Sequence, residues 1–199
     1  MRSAVALGTV LALVVASNPG VALAQKVTLN LTYPETIGDL AFKEIRHPTE
    51  NDRATQILYK APGIVLTFYI YGGGPDLPDG ADSPLLEKEF EGAKEAIHNP
   101  QVWKKAKDVR DGKVELGKAP HLVPAREGVF KVKGPQGKAN SYLYLAALNH
   151  VFFKIRCTTS GLKQDAEESN LSAIRISAGD MIRKLFESSP EASASAPPP

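Results

Sequence analysis

The same order of local patterns occurs twice in this chain, and this repetition constrains the possible folds more than any other feature. The first copy begins at residues 42–45 and the second at residues 130–133, and each continues through a hairpin into a helix. Aligning Phe42 with Phe130 also aligns the two hairpin turns, although few residues are identical. Repeated units of this kind bury their apolar faces against one another. The sequence therefore predicts a βββα unit that occurs twice.

Two turn dipeptides mark the hairpins. Pro62-Gly63 separates the β-rich residues 54–60 and 64–71, and Asn149-His150 separates residues 141–148 from residues 151–158. Glycine and asparagine tolerate the positive φ that tight hairpin turns require. Alternation in the first hairpin predicts a half-buried antiparallel pair with one apolar and one mixed face. The apolar face contains Ile57, Tyr59, Ile64, Leu66, Phe68 and Ile70, and the mixed face contains Gln56, Lys60, Thr67, Tyr69 and Tyr71.

A helix is predicted after each hairpin. Ser83 is a suitable N-cap, Pro84 suits the first helical position, and Asn99-Pro100 ends the first helix because the residue before proline avoids the α region. The second helix is predicted from Asp165 to Glu187, where apolar residues recur at helical spacing. These residues are Leu171, Ile174, Ala178, Met181 and Leu185.

The predicted fold class is α+β, with an antiparallel sheet of about six strands built from two βββα units and with the helices packed on the sheet. Residues 103–124 are predicted to form a long connection. This order of elements resembles the PsbP-like α/β sandwich proteins, a family of exported or lumenal accessory proteins. The resemblance covers most of residues 25–187 and rests on element order and export, without a fingerprint motif. It implies an accessory or binding role rather than turnover, and it assigns no functional residue.

Both ends of the chain carry recognisable patterns. Residues 1–24 read as a signal peptide, with Arg2 at the start, an apolar run over residues 4–15 and an Ala-Leu-Ala cleavage pattern before Gln25. This pattern predicts a periplasmic or secreted protein without an integral membrane segment after signal cleavage. Residues 25–187 are predicted to form a single globular domain. Residues 188–199 are rich in Pro, Ala and Ser and are predicted to be a disordered tail.

Composition narrows the range of partners and of reactive groups. The formal net charge is +2, so nucleic acid is not expected as a partner. The densest basic stretch, residues 104–110, also contains Asp108 and reads as a solvated face or loop. The single cysteine, Cys157, alternates with Val151, Phe153 and Ile155 and is therefore predicted to be a core residue.

No motif in the sequence indicates catalysis. The four histidines lack zinc-site spacing, and no G-x-S-x-G motif is present. Asp76, Asp79 and Asp82 follow residues 72–74, a glycine run, but the segment matches neither a calcium loop nor a phosphate loop and favours an ordinary connection. We therefore expect no catalytic residue, no metal and no cofactor, and a protein that is not an enzyme. The alternative is an exported hydrolase with a dispersed site.

One surface is a candidate for binding. Tyrosines with basic neighbours on the mixed sheet face suit a peptide, a glycan or an acidic partner. The residues of this candidate site are Lys60, Tyr69, Tyr71, Lys154 and Arg156. Two alternatives are a tolerated half-wet sheet face and a face covered by the connection at residues 103–124. The sequence thus predicts an exported, soluble, non-catalytic binding or accessory protein of the bacterial envelope that engages an unknown protein or envelope component. A structural or assembly subunit tethered by the tail is a further hypothesis.

Overall fold

A computed structural model describes residues 5–7, 11–13, 27–29, 32–49 and 54–187 of the 199-residue chain. Most of the predicted signal peptide and the whole predicted tail lie outside the described residues. Signal cleavage and the tail therefore stay predictions. No helix in the described part of the chain is both long enough and apolar enough to span a bilayer.

The described residues form short N-terminal strands, then two groups of longer strands that each lead into a helix. The short strands are β1 (Val5–Leu7), β2 (Leu11–Leu13), β3 (Val27–Leu29), β4 (Thr32–Pro34) and β5 (Thr36–Ile37). The first group is β6 (Leu40–Arg46), β7 (Thr55–Ala61) and β8 (Ile64–Gly72), followed by α1 (Pro84–His98). The second group is β9 (Lys105–Lys118), β10 (His121–Gly134), β11 (Gly137–Leu148) and β12 (Val151–Thr159), followed by α2 (Gln164–Glu187).

The main sheet has eight strands in the order β5-β6-β7-β8-β12-β11-β10-β9, and its pairs are antiparallel. In addition, β1 pairs with β4 and β2 pairs with β3. The α+β class is confirmed, but the prediction of about six strands was too low. The connection predicted at residues 103–124 is wrong, because most of it forms the edge strand β9 and the start of β10. Most of β9 is exposed on both faces, so its sequence lacks the alternation that marks a half-buried strand.

The two helices pack on opposite faces of the sheet. On one face, α2 packs its apolar stripe against the alternate residues of β7, β8, β11 and β12 that include Tyr59, Phe68, Tyr144 and Ile155. On the other face, Phe90 of α1 and its neighbours pack against β10, β11 and the start of β12. The helices therefore pack on the sheet as predicted, but they do not share one apolar face. Because β11 is covered on both faces, its residues 141–147 are all buried.

The local predictions for turns and helix ends are confirmed. Gly63 has φ +75°, and Asn149 and His150 have φ values of 48° and 62°, as tight hairpin turns require. Ser83 Oγ accepts a hydrogen bond from the Leu86 backbone N–H at 3.0 Å and caps α1. Cys157 is fully buried, and burial raises the pKa of its thiol to about 12. A thiol that is buried and protonated is a core residue, as predicted, and not a nucleophile.

Candidate functional site

The placement of α1 leaves part of one sheet face without a helix. The apolar residues of α1 pack on the half of the sheet formed by β9–β12. In the part of the chain that the structure describes, no helix packs on the same face of β7, and on β8 the helix α1 borders this face at Tyr71, near the end of the strand. We call this region the open face. Its residues are Gln56, Leu58, Lys60, Val65, Thr67, Tyr69, Tyr71, Lys154, Arg156 and Thr158.

Lys154 is the centre of a compact cluster at the border between the open face and α1. Its Nζ lies 4.9 Å from the ring centroid of Tyr71 and 5.5 Å from that of Tyr69. The same Nζ lies 3.4 Å from Oε1 of Glu89 on α1, and the hydroxyl of Tyr71 donates to that oxygen at 2.5 Å. Burial, followed by the contact with Glu89, raises the pKa of Tyr71 above its ordinary value. The structure thus brings three predicted site residues together, and Glu89 contacts two of them, Tyr71 and Lys154.

Arg156 lies beside this cluster, in the next cross-strand row. It pairs with Thr67 of β8 on one side and with Leu143 of β11 on the other. Its side chain is half-buried, and this burial lowers the pKa of the guanidinium, although the nearby Tyr69 opposes the shift. No carboxylate among the described residues forms an ion pair with Arg156. A half-buried cation without a counter-ion is energetically unfavourable in the free protein.

Lys60 belongs to the open face but not to the cluster. It lies opposite Val65, whereas Tyr69 lies opposite Gln56. Four residues of a strand separate these two rows, which corresponds to about 13 Å. Lys60 is therefore placed on the predicted face, at its far end.

A cavity of about 550 Å³ adjoins that far end. Its lining includes Val65 and Thr158 of the open face together with Trp103, which follows α1. The indole ring lies against Gly134, where an added Cβ would approach two ring atoms to 2.9 Å. The Nε1 atom of Trp103 is buried without a hydrogen-bond acceptor in the described structure. Sequence reasoning missed Trp103, and its only signal was its position as the single tryptophan in a segment read as a loop.

The arrangement favours non-covalent recognition over chemistry. Tyrosine rings and fixed cations provide cation–π and charge-assisted contacts, which are typical of binding surfaces. The histidines are dispersed: His98 Nε2 contacts Asp108 at 2.5 Å, and His150 Nδ1 lies 3.0 Å from the Leu77 carbonyl oxygen. Within the described ranges, no group of three or more His, Cys, Asp or Glu residues is arranged to hold a metal ion.

Several solved structures are similar to this chain. PsbP from the cyanobacterium Synechocystis sp. PCC 6803 has a TM-score of 0.46 and 10% sequence identity, covering 74% of this chain and 83% of that one. The Ran-binding protein Mog1p of Saccharomyces cerevisiae has a TM-score of 0.39 and 11% identity, covering 77% and 87%. A mutant form of Mog1 has a TM-score of 0.40 and 11% identity, covering 77% and 88%. The likeness concerns the fold alone. One of these structures is a PsbP protein, and the order of elements in this sequence resembles the PsbP-like family. No protein family matches the sequence, and no curated protein matches it.

Proposed function

We propose that this chain is an exported, non-catalytic binding protein of the bacterial envelope and that its open face binds an acidic segment of a partner protein. The signal pattern of residues 1–24 supports export, and the partner would be met in the periplasm or outside the cell. The charges and rings of the open face support the choice of an acidic peptide segment.

The observation that carries this proposal is the half-buried Arg156 without a carboxylate partner. A guanidinium presents a planar fork of donors that matches a carboxylate in a bidentate manner. A carboxylate from a partner would supply the missing counter-ion in a site that is already partly desolvated. Charge-assisted hydrogen bonds are about twice as strong as neutral ones, so this pair would contribute to specificity as well as to affinity.

The cluster around Lys154 adds a second, fixed cation beside Arg156. Contacts with Glu89 and two tyrosine rings hold the ammonium group before any partner binds. Preorganised groups lose less conformational entropy on binding. The proposed segment therefore places one carboxylate near Arg156 and lies across the rings of Tyr69 and Tyr71, which offer apolar area at low entropic cost.

An apolar contact is available at the other end of the open face. Val65 is 44% exposed, and the cavity beside Trp103 adjoins it. A hydrophobic side chain of the partner would cover Val65 and enter this cavity. The proposed recognition thus combines an acidic residue at one end of a short segment with an apolar residue at the other.

The open face can be tested by site-specific photo-crosslinking. We replace Val65 by p-benzoyl-phenylalanine and irradiate the protein in the envelope fraction of its own host. We expect one covalent protein adduct, whose yield falls at least tenfold with Arg156→Gln and with Tyr69→Ser. Because Arg156→Gln removes a half-buried unpaired charge, its melting temperature should equal or exceed that of the wild type.

The matched control places the same photo-reactive residue at Ile176, which lies on α2 and is 39% exposed. This position should give no adduct with the same partner. The proposal is wrong if the Ile176 position yields that adduct equally, or if the adduct from position 65 is unaffected by both Arg156→Gln and Tyr69→Ser.

A further inference from the structure

Five lysines from three strands lie together on the face of the sheet opposite to the open face. We call them the lysine cluster: Lys105, Lys107, Lys131, Lys133 and Lys138. Residues opposite one another on neighbouring strands share a face, and so do alternate residues of one strand. Lys133 lies opposite both Lys105 and Lys138, and Lys131 lies opposite Asn140, whose side chain donates to a carboxylate of α2. The cluster is therefore on the α2 side of the sheet.

The lysine cluster is electrostatically unfavourable in the free protein. Like charges directly opposite each other destabilise a sheet, and Lys133 has a lysine on each side. Neighbouring strands are about 4.8 Å apart and alternate residues about 7 Å apart, so the five side chains start from a patch of about 10 by 7 Å. None of the five forms an ion pair with a carboxylate in the described part of the chain.

These lysines line a cavity of about 700 Å³. The ends of β9, β10 and β11 provide one side, and residues 160–162, which lead into α2, provide another. Cavities of roughly 300–1,000 Å³ are typical of small-molecule sites. Glu167 is the one carboxylate in the described lining, and its oxygens already accept hydrogen bonds from Asn140, Tyr142 and Thr159. The described lining therefore contains five exposed lysines and a single carboxylate, whose oxygens are already hydrogen-bonded.

We propose that this cavity binds a small molecule that carries several phosphate groups. Lysine binds phosphate as a compact point charge with three rotatable donors, whereas planar, bidentate recognition of a carboxylate or a phosphate favours arginine. None of the described residues that line the cavity is arginine. One monovalent anion would leave most of the repulsion in place, and a multiply charged ligand removes it. A cavity of about 700 Å³ has the size of a small-molecule site.

This site was hidden in the sequence because its charges come from separate segments. The five lysines come from three separate segments, at residues 105–107, 131–133 and 138, and the net charge of the whole chain is only +2. The stretch at residues 104–110 was interpreted as a solvated face or loop. Strand pairing across β9, β10 and β11 is what concentrates the charge.

The test is isothermal titration calorimetry, in which sodium tripolyphosphate is titrated into the purified protein at about 50 and 150 mM salt. We expect saturable one-to-one binding that is at least tenfold tighter than binding of orthophosphate and that weakens as salt increases. The double variant Lys131→Gln/Lys133→Gln should lose at least tenfold in affinity. Its melting temperature without phosphate should be higher than that of the wild type, because the like-charge repulsion is reduced.

The matched control is Lys43→Gln/Lys88→Gln, which removes the same charge from two exposed lysines outside the cavity. Its affinity for tripolyphosphate should stay within twofold of the wild type. Equal losses in both double variants, or no binding at millimolar tripolyphosphate, would overturn the proposal. Tighter binding of single-stranded DNA than of tripolyphosphate would also overturn it, since the site would then serve an extended polyanion.

Discussion

Replacing Gly179 by alanine is expected to lower the free energy of unfolding by about 3 kcal/mol, at the upper end of what overpacking costs. Gly179 lies in the middle of α2, where the helix meets β9 at Gly117. A Cβ added at Gly179 would lie 2.3 Å from both the Cα and the N of Gly117 and 2.6 Å from the carbonyl carbon of Leu116. These neighbours are backbone atoms, which cannot rotate away as a flexible side chain would. The helix must therefore shift from the sheet or the edge strand must move.

Gly92 is the natural control, because it lies within α1 and an added Cβ there would meet nothing within 4 Å. Helix propensity alone predicts that each glycine-to-alanine change stabilises the protein by about 0.5–1 kcal/mol. Gly92→Ala should show that gain, whereas Gly179→Ala should show the opposite sign. Urea denaturation of the two variants measures both. If Gly179→Ala also stabilises the protein, the close approach of α2 and β9 is wrong.

The elements that could be predicted from sequence are those with local causes. Ser83 and Pro84 specify a helix start through groups within one turn, and Pro62-Gly63 and Asn149 specify hairpins through their own φ preferences. Each of these signals needs no knowledge of the rest of the chain. The first hairpin's alternation was equally informative, because one face is buried and the other is not.

The elements that were missed depend on the assembled sheet. Strand β9 is an exposed edge with charges on both faces, and such a strand is stabilised by pairing with β10 rather than by its own pattern. The placement of the two helices on opposite faces also depends on the whole sheet and not on a local sequence pattern. Residues 141–147 form a continuously buried run, and such a run is compatible with a strand covered on both faces as well as with other structures.

The candidate site also combines features that a local pattern predicts with features that depend on the assembled sheet. Alternation along β8 and β12 placed Tyr69, Tyr71, Lys154 and Arg156 on one face, and the register confirms that placement. That a partner binds this face stays a prediction. Glu89 could not be predicted from the sequence as a member of this site, because its contact with Lys154 depends on where α1 crosses the sheet. The lysine cluster could not be predicted from the sequence for a similar reason, since its charges are brought together only by strand pairing.

Replacing Glu167 by glutamine is expected to lower the free energy of unfolding by about 2 kcal/mol at pH 7, the size of a charge-assisted hydrogen bond. Glu167 joins α2 to two strands: Asn140 Nδ2 donates to its two oxygens at 3.0 and 3.2 Å, and Tyr142 donates at 2.9 Å. The hydroxyl of Thr159 donates as well. An amide presents donors of its own where these groups need an acceptor, so at least one buried donor is left unpaired.

The pH dependence of this effect follows from the pKa of Glu167. Burial by itself raises that pKa, but the hydrogen bonds from Thr159, Asn140 and Tyr142 outweigh burial and hold it below its ordinary value of 4.5. A carboxyl whose pKa is lower in the folded state stabilises the protein above its unfolded-state pKa and loses that contribution as the pH falls through its folded-state pKa. The difference in unfolding free energy between wild type and Glu167→Gln should therefore be full at pH 7 and narrow below pH 4.5.

Denaturation of both proteins at pH 7 and at about pH 3, with Glu168→Gln as the control, measures this narrowing. Glu168 is the next residue of α2, is exposed and accepts one hydrogen bond from Gln164 at 3.0 Å. Its substitution should change the unfolding free energy by less than about 0.5 kcal/mol at either pH, as is usual for exposed helix pairs. A difference for Glu167→Gln that does not narrow on acidification would mean that the carboxylate charge contributes nothing. The fixed attachment of α2 to β11 and β12 would then depend on the shape of this side chain alone.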